Sequence, residues 1–138
     1  MIVCKFGGSS ISSSDNIKNV KSILLKKIKE DKIIVVFSAI GKTTDFLIEV
    51  GELASKGEDY NEKLNKLLNF HKNIVTNLEI KDKNFFKKFD NLLKIIKDIC
   101  YGLYYLKDFS SKSSDYLISH GEKLSNLIIY QYLKDNLD

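Results

Sequence analysis

Apolar positions recur along this chain in two rhythms, and each change of rhythm predicts a change of element. Ile2 to Phe6 is a short apolar run, β-branched at Ile2 and Val3 and stopped by Gly7-Gly8, which predicts a buried strand. Ser9 to Ser14 predicts a polar loop. Ser14 or Asp15 is the expected cap of the next helix, since either side chain can accept a bond from an orphan N–H of its first turn. Ile17, Val20, Leu24 and Ile28 then fall at helical spacing, giving an amphipathic helix with lysines outside that ends near Lys29-Glu30-Asp31. Ile33-Ile34-Val35-Val36-Phe37 is unbroken apolar sequence and predicts a strand covered on both faces. Strand, helix, strand makes a βαβ unit with a parallel pair. Its strands end side by side, so Gly7-Gly8-Ser9-Ser10 and Ser38-Ala39-Ile40-Gly41 are expected at one carboxyl edge, where open α/β sheets bind ligands.

The helical rhythm holds from there on. A helix opening at Thr43 or Thr44 carries Phe46, Leu47, Val50, Leu53 and Ala54 and stops at Ser55-Lys56-Gly57, with Gly57 as a left-handed cap. From Asn61, Leu64, Leu67, Leu68, His71, Ile74, Val75 and Leu78 form one regular face. After Lys81-Asp82-Lys83-Asn84 a further helix runs from Phe85 through Leu103, and these two are expected to form an antiparallel hairpin. Lys107 to Ser111 breaks the pattern, and a last helix spans about Ser113 to Leu133 on Leu117, Leu124 and Ile128. Gly121 sits in its middle, where glycine costs roughly 1 kcal/mol relative to alanine, so a close backbone approach or a ligand is expected there. The expected class is α/β, a parallel βαβ start followed by a helix-rich segment. Two strands alone do not make a stable sheet, which predicts a remainder in a partner chain or in sequence beyond Asp138.

Composition narrows the function classes. The 138 residues have the length of one domain, and 43% apolar with 29% charged residues is a soluble globular profile. The formal charge of +4 comes from 22 basic residues, all lysine, interleaved with acids as in Lys26-Lys27-Ile28-Lys29-Glu30-Asp31. Without a clustered basic face or arginine forks, nucleic acid is not an expected partner. Cys4 and Cys100 lie far apart, in no metal-ligand spacing, and read as small core residues of a reduced, cytoplasmic protein. No signal peptide is visible, and no apolar run approaches the roughly 18 residues of a membrane span. Proline is absent, as fits either a whole small helical domain or a piece of a longer protein.

The candidate chemistry gathers at the two loops. Paired glycines allow φ > 0, so successive N–H groups can face one concavity, and Lys5 beside Gly7-Gly8-Ser9-Ser10 suits an anion, best a phosphate. Ser38 and Thr43-Thr44 add hydroxyls and a helix N-terminus, although capping would account for Ser38 or Thr44 equally well. Gly41-Lys42-Thr43 looks like the end of a P-loop, but G-x-x-x-x-G-K-[ST] would need a glycine where Val36 stands, and G-x-G-x-x-G is absent too. Glu122, next to Gly121, is the third candidate. His71 reads as a core histidine and His120 could face either way. No Ser-His-Asp spacing appears, and two histidines with two distant cysteines make no zinc site, so no metal residues are assigned.

Together, Lys5-Phe6-Gly7-Gly8-Ser9-Ser10 resembles the K-F-G-G-[ST]-S signature of aspartate kinases, in the amino-acid kinase superfamily. Val35-Val36-Phe37-Ser38-Ala39 with Gly41-Lys42-Thr43-Thr44-Asp45 resembles that family's second strand and loop. Ser119-His120-Gly121-Glu122-Lys123-Leu124-Ser125 resembles its S-x-G-E-[RK]-L-S helix. The resemblance spans residues 1–138 and implies the N-terminal, aspartate-binding portion of a three-layer α/β/α catalytic domain, without the nucleotide-binding segment and regulatory domains. It implies transfer of the γ-phosphoryl group of ATP, with Mg2+ as counter-ion, to the side-chain carboxylate of L-aspartate, the first step toward lysine, threonine and methionine. That acceptor is ionised at neutral pH and needs no general base. By the same resemblance Lys5 neutralises the transferring phosphate, Phe6 is part of the ATP-binding K-F-G-G-S-S motif, and Gly7, Gly8, Ser9 and Ser10 cradle phosphates. Ser38, Thr44 and Glu122 hold aspartate, Glu122 through its α-ammonium, and the full-length protein is expected to be a homo-oligomer. Two positions depart from the pattern: Lys42 replaces a commonly small residue, and Lys123 stands where arginine is frequent. Two other readings remain: the kinase part of a fused aspartate kinase–homoserine dehydrogenase, and a non-catalytic binding or assembly module that keeps the fold.

Overall fold

The structure, a computed structural model, describes residues 1–137; Asp138 lies outside the described residues. Two strands, β1 (Ile2–Phe6) and β2 (Ile33–Phe37), pair in parallel, Ile2 beside Ile33 through Phe6 beside Phe37. They are linked through α1 (Ser14–Lys27), as the βαβ pattern predicts. Four helices follow: α2 (Thr43–Ser55), α3 (Asn61–Asn77), α4 (Lys83–Leu106) and α5 (Ser111–Asn136). The class is α/β. None of the helices is long and apolar enough to cross a membrane, among the described residues.

The strands are covered on one face only, which corrects the expectation for β2. Ile33, Val35 and Phe37 turn toward the helices, with Ile2, Cys4 and Phe6 beside them, while Val3, Lys5, Ile34 and Val36 are exposed. An all-apolar run is compatible with two covered faces but does not count them. Of the three layers the resemblance implies, the sheet and one helical layer are present here, and the second face of the sheet is open.

Local chemistry sets most boundaries. The stretch expected as a polar loop forms a short 3-10 turn, Gly8–Ile11, because Ile11 is fully buried and pulls the serines into a turn. The cap of α1 is Ser13, one residue ahead of the expected Ser14 or Asp15; its hydroxyl accepts from the Asn16 N–H at 3.1 Å. Asp82 caps α4 by accepting from the Phe85 N–H, Ser110 caps α5, and Gly57 takes the expected left-handed conformation at φ +72.

Helix α2 is the centre of the core. It packs on α3, α4 and α5 through Leu47, Val50, Gly51 and Ala54. The expected α3–α4 hairpin is antiparallel but splayed: Tyr60 at the start of α3 lies 6.0 Å, ring to ring, from Tyr104 near the end of α4, yet the close neighbours of α4 are α2 and α5. The apolar faces of α3 and α4 both pack on α2 rather than on each other. The periodicity reports a buried face and is silent on which helix covers it.

Candidate functional site

The strand register brings the two predicted loops together at the carboxyl edge. Phe6 and Phe37 lie side by side with their rings stacked 5.7 Å apart, so both strands end at one level. The Ser38 N–H donates to the Phe6 carbonyl at 3.1 Å, and the Gly41 N–H donates to the Gly8 carbonyl at 3.1 Å. The ring of Phe6 packs against the core, and its carbonyl is taken up by the Ser38 N–H, so Phe6 offers a ligand neither side chain nor carbonyl.

Paired glycines occur here for a reason other than the expected one. Gly7 is extended, at φ −76 and ψ 170, and the left-handed glycines are Gly41, at φ +56, and Gly57. Gly8 is glycine because of crowding. A Cβ there would lie 2.5 Å from the Gly41 oxygen and 3.1 Å from the Ala39 oxygen, both backbone atoms that cannot step aside. Gly7, by contrast, borders open space. In the turn that follows, the first bond runs from the Ser10 N–H to the Gly7 carbonyl at 3.0 Å, so the Gly8 and Ser9 N–H groups precede it and are the donors available to a ligand. Ser9 and Ser10 are exposed, and Lys5 extends from the open sheet face.

The third motif reaches the same loop from the far end of the chain. A Cβ on Gly121 would sit 3.1 Å from Ala39 Cβ and 3.1 Å from Thr43 Cγ2. The close approach expected at this mid-helix glycine is therefore made, and its partner is the Ala39–Thr43 loop. Glu122, the next residue, is exposed beside that contact. Gly8 and Gly121 thus draw the turn after β1 and helix α5 onto one segment, which carries half-buried Ser38 at its start and half-buried Thr44 at its end.

Thr43 and His71 hold that segment from below. The Thr43 hydroxyl is buried and donates to the Ile40 carbonyl at 2.6 Å, and it lies 3.4 Å from His71 Nε2. His71 Nδ1 donates to the Leu67 carbonyl at 2.9 Å, a bond that assigns its proton. Burial holds the His71 pKa below its ordinary value. His71 is a core histidine, as expected. His120 is buried too, its Nδ1 2.8 Å from the Tyr116 carbonyl, with its pKa lowered chiefly by burial. Cys100 is fully buried and its thiol is pushed up to about 12, the character of an inert core residue; Cys4 is half-buried. The N-cap position of α2 is Lys42, which makes no side-chain capping bond. Neither Ser38 nor Thr44 is tied up as a helix cap. The Thr43–His71 contact escaped sequence reasoning because a helical stripe gives His71 an inward face and no partner.

A family description independent of this geometry, the amino acid kinase family, matches residues 1–136. The chain belongs to the amino acid kinase family. Proteins it is similar to include aspartokinases and bifunctional aspartokinase/homoserine dehydrogenases. It is 33% identical over 135 residues to aspartokinase 1, chloroplastic, of Arabidopsis thaliana, an alignment covering 95% of this chain and 23% of that protein. It is 29% identical over 139 residues to the bifunctional aspartokinase/homoserine dehydrogenase of Buchnera aphidicola, covering 97% of this chain and 17% of that one. Among solved structures it is similar to E. coli aspartokinase III in complex with aspartate and ADP, at TM-score 0.82 and 25% identity, over 98% of this chain and 29% of that chain. The chain therefore spans under a third of the length of the aspartokinases it matches. It is an aspartokinase-like amino acid kinase segment of α/β fold.

Proposed function

We propose that residues 1–138 are the aspartate-binding, N-terminal portion of the catalytic domain of an aspartate kinase, which transfers the γ-phosphoryl group of ATP to the side-chain carboxylate of L-aspartate. The observation that carries this reading is the convergence of the three motif segments on Ser38–Thr44, through the Gly8–Gly41 and Gly121–Ala39 contacts. The relative solved with aspartate and ADP supports the same pair of substrates.

In the reaction a bond forms between an aspartate carboxylate oxygen and the γ-phosphorus. The bond from that phosphorus to the bridging oxygen breaks, and ADP leaves with the electron pair. Such transfer depends on positioning and on positive charge near the loosening phosphoryl group. Lys5 supplies the charge, and the Gly8 and Ser9 N–H groups with the Ser9 and Ser10 hydroxyls supply donors beside the open space at Gly7. Ser38 and Thr44 offer hydroxyls to aspartate, and Glu122 pairs with its α-ammonium. No group of three or more His, Cys, Asp or Glu side chains among the described residues could hold a metal by itself. The Mg2+ of this proposal would come bound to the nucleotide's phosphates, whose charge it would partly neutralise.

The test is a pair of substitutions in the full-length protein. Lys5→Ala should lower kcat by about 100-fold or more while aspartate affinity stays within a few-fold, since a charge that acts on the transition state matters most there. Glu122→Ala should raise the KM for aspartate about 10-fold or more with a smaller change in kcat. A near-normal kcat for the first variant would remove Lys5 from phosphoryl transfer, and an unchanged KM for the second would return Glu122 to an ordinary solvated glutamate. A second reading, the kinase part of a fused aspartate kinase–homoserine dehydrogenase, is favoured by the similarity to bifunctional proteins of Buchnera aphidicola and Daucus carota. Homoserine dehydrogenase activity in the full-length protein would decide for it.

A further inference from the structure

A pocket of about 300 Å³ lies beneath the Gly41–Thr43 loop, apart from the site just described. None of Lys5, Gly7 to Ser10, Ser38, Thr44 or Glu122 lines it. Phe46 of α2 and Leu67 and Phe70 of α3 give it apolar walls, and the Gly41–Thr43 backbone closes one side. The loop is seated on that wall: a Cβ on Gly41 would come 3.7 Å from Phe70 Cζ. The only charged side chains lining the pocket are two lysines, Lys42 and Lys66, both exposed. Lys42 has no carboxylate within ion-pair distance among the described residues. Lys66 is paired with Glu62 at 2.7 Å, but both groups are largely exposed, and such a pair contributes about 0–1 kcal/mol, so its ammonium can swing to another anion at little cost. The Ser12 hydroxyl adds one more hydrogen-bonding group.

We propose that this pocket binds a small amphipathic carboxylate: a flat aromatic or branched apolar body carrying one acid group. The body would lie between Phe46 and Phe70, whose ring faces and edges suit another ring. The acid would face Lys42 and Lys66. The size fits, because a cavity of about 150 Å³ holds benzene, and twice that takes a ring with a short acid chain. Two ammonium groups and no lining carboxylate select an acid over its neutral amide.

The probe is 3-phenylpropionate, compared with 3-phenylpropanamide, each titrated into the 15N-labelled chain and followed by amide chemical shifts. The acid should bind with a Kd on the order of 1 mM or tighter, shifting amides of Ser12, Gly41 to Thr43 and Lys66 to Phe70. The amide should bind about three- to tenfold more weakly. The double substitution Lys42→Ala/Lys66→Ala, on exposed positions that leave the core intact, should equalise the two. Leu67→Trp should fill the pocket and abolish both. Shifts scattered over the surface, no saturable shift, or equal binding of acid and amide by the unsubstituted chain would each overturn the proposal.

Discussion

Two glycines on distant elements lean on one loop, and their substitution separates packing from propensity. Gly8→Ala has no compensation: its Cβ would press on the Gly41 and Ala39 carbonyl oxygens, and backbone must move. Gly121→Ala is different. Alanine gains about 1 kcal/mol of helix propensity in α5, while the 3.1 Å contacts with Ala39 and Thr43 exact an overpacking cost of about 1–3 kcal/mol. The two terms partly offset, so Gly121→Ala should lower unfolding free energy by about 0–2 kcal/mol, less than the uncompensated overpacking loss of Gly8→Ala, as read from urea melts. If Ser38 and Thr44 hold aspartate as proposed, Gly121→Ala in the full-length protein should nonetheless raise the aspartate KM, since the displaced loop carries both. The pair of glycines next to Lys5 was legible in the sequence as a special site. That Gly8 answers to carbonyls some thirty residues away was not, because crowding by a distant backbone leaves no local trace.

At the scale of elements, α2 is held by contacts its own periodicity does not announce. Gly51 faces Phe109, in the segment between α4 and α5, and Leu117 of α5. A Cβ at Gly51 would come 2.6 Å from Phe109 Cε2 and 3.0 Å from Leu117 Cδ2. Gly51→Ala should therefore destabilise the chain by about 1–3 kcal/mol despite improving local helix propensity. Phe109→Leu should cost stability alone, by loss of ring contacts, yet recover part of the loss when combined with Gly51→Ala. A thermal-melt double-mutant cycle with additive effects would show that ring and glycine are not in contact in solution. Helix positions were legible from apolar spacing to within a few residues, and the Gly57 cap from glycine's backbone freedom, whereas Asp82, read only as part of a polar turn, proved to be the cap of α4. Helix partners were not: α3 and α4 each present an apolar stripe, and both stripes are satisfied mainly by other helices.

The whole molecule carries its clearest pH dependence in two buried histidines. Burial lowers the pKa of both His71 and His120 in the folded chain, whereas the unfolded chain releases them at about 6.5. Below that value the unfolded state binds more protons than the folded state, so stability is full at pH 7 and falls as pH drops toward 5. The lowered carboxyl pKa values of Asp31, Asp59 and Glu62 act at more acid pH and leave this window to the histidines. Urea midpoints at pH 7, 6 and 5 should decline steadily, and His71→Gln should flatten the decline while lowering stability at pH 7 through loss of the Leu67 and Thr43 contacts. A profile as steep as that of the unsubstituted chain would assign the effect elsewhere.

By itself the sequence determined the α/β class, the βαβ start, the five helices and the three motif segments, because strand and helix periods, capping side chains and turn glycines are short-range properties. Only the tertiary structure decided which strand faces are covered, which helix covers which, and that Gly8, Gly121 and the Ala39–Thr43 loop are one contact. It alone revealed the pocket under Gly41 and the Thr43–His71 support. These depend on atoms brought together from positions tens of residues apart, and a spacing pattern registers that a side is apolar or a Cβ is missing without registering what stands opposite.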